Sequence, residues 1–143
     1  DLIDIVSKNG VLLLNVAPNK HGIIPDDQQT ILREMGAWLR VNGEGIYETT
    51  PFTVFGQGPT NAEMRLHANI HEKGFNADDF RYTKKGQHIY AFWMEMDERK
   101  VISLDAFGVE DRIINDPIIS VSLLGVDSEI KWIQKKDELV IMF

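Results

Sequence analysis

Cysteine is absent from the 143 residues, which excludes a disulfide framework and a thiol nucleophile. Secreted proteins can lack both, so the compartment stays open. Positive charge is in deficit: 15 Lys and Arg face 22 Asp and Glu, for a formal net charge of −7. That balance argues against a nucleic-acid backbone or an anionic membrane surface as partner. The chain also lacks an initiator Met, a basic n-region and an apolar h-region, and Asp1 opens straight into Leu2, Ile3, Ile5 and Val6 at helical spacing. The expectation is a piece of a longer protein that starts inside a structural element. Internal repeats and low-complexity tracts are missing as well. What remains, 43% hydrophobic and 26% charged, is the composition of a soluble globular protein long enough to build a core.

Residues 7–47 hold the clearest organisation. Residues 11–16, VLLLNV, form a short, almost uniformly apolar run between Asn9-Gly10 and Ala17-Pro18-Asn19. Such a run suits a strand buried on both faces, as in a parallel sheet covered by helices. Pro25 then stands where a first helical position needs no N–H, and Asp26 and Asp27 face the positive end of the helix dipole. Ile31, Leu32, Met35, Trp38 and Leu39 recur at three- and four-residue spacing, and Gly43 offers a left-handed stop. The order is helix end, buried strand, loop, helix, the repeating unit of an α/β fold. One parallel strand has no neighbours of its kind in the rest of the sequence, so further strands are expected from outside it.

From Phe52 onward the helical period disappears. Residues 52–79 read as an edge strand with long loops and mark the boundary between two domains, 1–51 and 52–143. Residues 89–94 are apolar on both faces and are expected as a central strand. Residues 100–106 and 118–124 read as half-buried strands, the second with Ile119, Val121 and Leu123 turned inward. Residues 130–133 and 139–142 read as a hairpin with a charged turn. Short strands separated by polar turns suggest a small antiparallel β-sandwich.

Several of these stretches carry a family resemblance. DLIDIVSKNGVLLLNVAP at residues 1–18, GIIP at 22–25 and ILREMGAWLRVNGEGIYETTPF at 31–52 resemble the closing segment of the catalytic barrel in the family 29 glycoside hydrolases, the α-L-fucosidases. Gly58-Pro59-Thr60 and DFRYTKKGQHIYA at 79–91 are similar to the opening of that family's C-terminal β-domain. The chain departs from the family pattern at Val11, where Asn is usual, and at Ala17, where Gly is usual. The resemblance implies an α/β end of a (β/α)8-type barrel followed by an all-β antiparallel sandwich. It also implies a retaining hydrolase acting on a fucosylated glycan or glycoside, with the missing N-terminal barrel of the same protein as its partner and no cofactor. A retaining glycosidase needs two carboxyl groups roughly 5 Å apart. By resemblance these are an Asp nucleophile and a Glu acid/base upstream of this chain, so no catalytic residue is assigned here and the chain alone is expected to be inactive.

The remaining candidates are weighed against plainer roles. Asn15, near the carboxyl end of the expected strand, is the candidate substrate-binding residue, because barrel enzymes build their sites there. A structural amide satisfying loop backbone is the competing and favoured reading. His67 and His71, with Glu63 and Glu72 nearby, have a spacing that could hold zinc on a helix, but no Glu follows His67, and they read as solvated loop residues. No metal site is assigned. His21 and His88 are isolated. Tyr90, Trp93 and Trp132 could stack a sugar ring, but core filling accounts for them better. A non-catalytic carbohydrate-binding or scaffolding module is the alternative function; it would require a complete fold, against which the lone strand argues. If residues 11–16 and the face with Ile31, Met35 and Leu39 lack barrel neighbours, they should be left exposed.

Overall fold

The computed structural model describes residues 1–60, 74–110, 113–114 and 116–143. Helix α1, Leu2–Ser7, is six residues long and buries Asp4 and Ser7. It ends in a Schellman stop: Asn9, at φ 66°, donates its N–H to the Val6 carbonyl at 3.0 Å, and Gly10 donates to the Ile5 carbonyl at 2.8 Å. Residues 11–16 then form no strand, and Val11 and Leu13 are 92% and 83% exposed. The expected doubly buried strand is therefore corrected: the sequence has the character of one, but nothing among the described residues pairs with it, and an unpaired strand cannot satisfy its backbone by itself.

Helix α2, Asp26–Asn42, carries Asp26 and Asp27 in its first turn and Arg40 in its last, which matches the helix dipole at both ends. Pro25 occupies the cap just outside it. Gly43 is not a left-handed stop. It is right-handed at φ −62° and ψ −21°, and the chain tightens into a 3₁₀ turn, Gly43–Gly45. A Cβ there would lie 2.7 Å from Cε2 of the exposed Tyr47 ring, which would have to turn aside. No residue of α2 is buried.

The remainder forms two three-stranded antiparallel sheets. In the first, β1 (Thr50–Gln57), β2 (Phe80–Lys85) and β3 (His88–Trp93) lie in the order β1-β2-β3. In the second, β4 (Val101–Leu104), β5 (Lys131–Gln134) and β6 (Leu139–Met142) lie in the order β4-β6-β5. The β5–β6 hairpin and the edge position of β1 match the sequence reading. The central strand of the first sheet is β2, however, and β3 is an edge. Both faces of β3 are apolar because Phe92 meets Trp38 of α2 on one side while Trp93 stacks on Phe80 and Phe143 on the other.

Alternation places Phe80 and Tyr82 of β2 on the face shared with Ile102, Leu104, Leu139 and Ile141, and Phe52 and Phe107 complete this core. Gln57 ties the sheets together: its Nε2 donates to the Ser103 carbonyl at 2.9 Å, and its Oε1 accepts the Tyr82 hydroxyl at 2.6 Å and the Asp105 N–H at 2.8 Å. Burial pushes the Tyr82 hydroxyl pKa well above its ordinary value. The strand expected over 118–124 does not form. Ile118 and Val121 pack against the core while Ile119 is 89% exposed, so the segment follows an irregular path instead of the strict alternation its sequence suggests.

Candidate functional site

Residues 14–17 and the first turns of α2 enclose a shallow hollow lined by Leu14, Asn15, Val16, Ala17, Gln28 and Ile31. Two amides hold the chain around it and in the turn that follows. The Ala17 N–H donates to Gln28 Oε1 at 3.0 Å, which ties the end of the apolar segment to α2. Asn19 Oδ1 accepts the N–H groups of His21 at 2.9 Å and Ile23 at 3.2 Å, and the Asn19 N–H donates to the Ile23 carbonyl at 2.9 Å. The turn leading into α2 is thereby closed on one side chain. Asn15 itself is exposed and makes no hydrogen bond to a described residue. The backbone-satisfying role weighed for Asn15 is thus carried by Asn19 and Gln28. Neither was singled out from sequence; the Asn19-Lys20-His21-Gly22 turn pattern was the available signal for the first, and Gln28 had none.

The lining of this hollow carries no ionisable side chain. It can orient a group by hydrogen bonding and apolar contact, but it cannot accept or deliver a proton. A second hollow, between α1, residues 12–14 and α2, is lined by Leu2, Ile3, Leu12, Met35, Trp38 and Leu39, a mainly apolar surface with Asp1 at its margin.

The other sequence candidates are dispersed. His21 and His88 are exposed, and His67, His71, Glu63 and Glu72 lie outside the described residues. Among the described residues no group of three His, Cys, Asp or Glu could hold a metal ion. Tyr90 and Trp93 stand on opposite faces of β3. Tyr90 donates its hydroxyl to Glu44 Oε1 at 2.7 Å, and burial together with that carboxylate pushes its pKa up to about 12. Trp93 donates Nε1–H to the Ala77 carbonyl at 2.8 Å. Trp132 packs against the sandwich core. These three form no shared platform; Trp93 and Trp132 pack against the core, and Tyr90 does not.

Two family profiles match, one described as α-L-fucosidase over residues 1–44 and one as α-L-fucosidase C-terminal domain over residues 73–143. The chain belongs to the α-L-fucosidase family. Tissue α-L-fucosidase of Homo sapiens is 28% identical over 138 residues, which is 96% of this chain and 25% of that protein. Plasma α-L-fucosidase of Rattus norvegicus is 54% identical over 48 residues, 34% of this chain and 10% of that protein. Among solved structures, Thermotoga maritima α-fucosidase in complex with fucose superposes with a TM-score of 0.71 at 24% identity, covering 99% of this chain and 28% of that one. The chain spans about a quarter of the length of the curated fucosidases it matches along most of its own length.

Proposed function

We propose that the chain is the C-terminal part of a retaining α-L-fucosidase that removes terminal α-linked L-fucose from glycans or glycosides. In this reading residues 1–51 close the catalytic (β/α)8 barrel, and residues 52–143 form the β-sandwich that supports it. The observation that carries the reading is the pair of α-L-fucosidase matches in family order, at residues 1–44 and then 73–143. The geometry agrees with it: residues 11–16 and α2 expose the apolar side chains, Val11, Leu13 and Ile31 among them, that a barrel strand and its helix would bury against their neighbours.

The two carboxyl groups that exchange the glycosyl unit come from elsewhere in the fucosidase. This chain supplies orientation. Asn15, free of partners within its hollow, would offer both an amide donor and a carbonyl acceptor to a sugar hydroxyl or to a neighbouring catalytic group. The test is release of nitrophenol from nitrophenyl α-L-fucoside by the longer polypeptide and by the 143-residue chain. The longer polypeptide should turn the substrate over with retained anomeric configuration, and the chain alone should be inert. Asn15→Ala should lower kcat/KM by about tenfold, the scale of one lost polar contact. A longer polypeptide that folds yet leaves the fucoside intact would overturn the reading.

A further inference from the structure

The face of the first sheet turned away from the sandwich core is organised by one arginine. Arg81, on the central strand β2, is 1% exposed, so a permanent charge has been taken out of water. Its Nε donates to Asp4 Oδ1 at 2.5 Å; one terminal nitrogen donates to the carbonyls of Phe80 at 2.9 Å and Gln57 at 3.4 Å, and the other to the Thr60 carbonyl at 2.7 Å. The rings of Phe55 and Phe75 lie 5.3 and 5.0 Å from the guanidinium carbon. Of these partners Asp4 is the one with opposite charge, and its second oxygen accepts Lys8 Nζ at 3.0 Å. The guanidinium fork therefore joins α1 to the end of β1 and the turn just beyond it, two stretches distant in sequence.

Helix α1 has six residues, too few to be stable by backbone propensity alone. Its position must come from what it touches. The Schellman stop at residues 8–10 then fixes the direction in which the chain leaves it, toward the segment carrying Asn15. A buried ion pair is a poor source of net stability but a stringent selector of register, because any other register strands both charges without partners.

We propose that Arg81 is a positioning residue: through Asp4 it sets the register of α1 on the β-sheet, and through the rigid stop after α1 it sets where the segment bearing Asn15 begins. The structural part stands without the fucosidase reading; the kinetic part rests on it. Arg81 does not face the sandwich core, which β2 contributes to through Phe80 and Tyr82. Loss of the contact should therefore release α1 without melting the sandwich.

The experiment is amide hydrogen exchange by NMR on the chain with Asp4→Asn, which keeps an acceptor in place, and with Arg81→Lys, which keeps the charge but loses the fork. The amides of Ile5, Asn9 and Gly10, which donate to the carbonyls of Asp1, Val6 and Ile5, should exchange about a hundredfold faster in Asp4→Asn. Those of β2, β3 and β6 should keep their protection, and Arg81→Lys should fall between wild type and Asp4→Asn. In the longer polypeptide, kcat/KM for nitrophenyl α-L-fucoside should fall in the same order. Unchanged exchange in α1, or acceleration of β2 and β6 in step with it, overturns the assignment. A wild-type polypeptide without fucosidase activity, beside altered α1 exchange, would instead remove the fucosidase reading and leave the Asp4–Arg81 register in place.

Discussion

Leu104 and Val11 are aliphatic residues in short apolar runs of similar character, yet one is 2% and the other 92% exposed. Leu104 stands on β4, whose partner β6 and facing strands β1 and β2 all lie within the chain. Val11 opens a segment that pairs with nothing described. The contrast extends over each region: the sandwich has a continuous aromatic and aliphatic core, whereas α2, equally amphipathic in sequence, buries no residue. Hydrophobic periodicity states what a segment would bury, and only the neighbours decide whether it does.

Substitutions in the two regions should therefore differ in kind. Leu104→Ala should cost about 3 kcal/mol in urea unfolding, the transfer and cavity terms of a closed core. Val11→Ala should change stability by less than about 0.5 kcal/mol; a cost for Val11 equal to that of Leu104 would break the comparison. Next in size are two glycines. At Gly45 a Cβ would meet Phe92 Cζ at 2.7 Å and Tyr90 Cγ at 3.1 Å, so Gly45→Ala should cost about 2 kcal/mol by overpacking the contact between the two regions. At Gly22, φ +77° with nothing within 4 Å, alanine should cost about 1 kcal/mol from backbone strain alone.

Asp79 gives the comparison a pH dependence. It is fully buried at the foot of β2, where its carboxylate accepts the N–H of Thr60 at 2.9 Å and of Asn76 at 2.8 Å. Burial by itself would raise its pKa, but the Asn76 and Thr60 donors and the nearby Arg81 charge outweigh burial and hold it below the ordinary value of 3.8. A carboxyl with a depressed folded-state pKa contributes stability above its unfolded value that is lost as pH falls through the folded value. Sandwich stability should decline on acidification below about pH 4, and Asp79→Asn should cost about 1–2 kcal/mol at neutral pH and flatten that acid limb. Thermal melts of both proteins between pH 2 and 7 would show it. The smallest effect expected is at Lys135, which pairs with Glu138 at 2.5 Å in the exposed turn between β5 and β6. Lys135→Ala should cost less than about 0.5 kcal/mol and vanish in high salt.

Much of this architecture was legible wherever local chemistry decides it. Pro25 with Asp26 and Asp27, followed by Ile31, Met35 and Leu39, marks α2, and Lys135-Lys136 between two apolar runs marks the β5–β6 hairpin. What was illegible depends on contacts distant in sequence. β2 carries Arg81 and Thr83, which alternate with Phe80 and Tyr82 as if facing water. They are buried because Asp4 takes the first and the Gly45 carbonyl accepts the hydroxyl of the second at 2.7 Å. β2 itself is central because its backbone pairs with β1 on one side and with β3 on the other. At the candidate site, the position of Asn15 at the end of an apolar run was readable. The work of Asn19 and Gln28 was not, because a turn must close before its hydrogen bonds exist.

The central claim is that residues 11–42 are built to be covered by other parts of a fucosidase, whereas the two sheets bury a core between themselves. Fluorescence of a hydrophobic dye, compared between the 143-residue chain and the longer polypeptide at equal molarity, tests it most directly. Strong dye emission from the chain and little from the longer polypeptide is the predicted result. A chain that binds no dye, with its apolar segment already buried, would contradict the account.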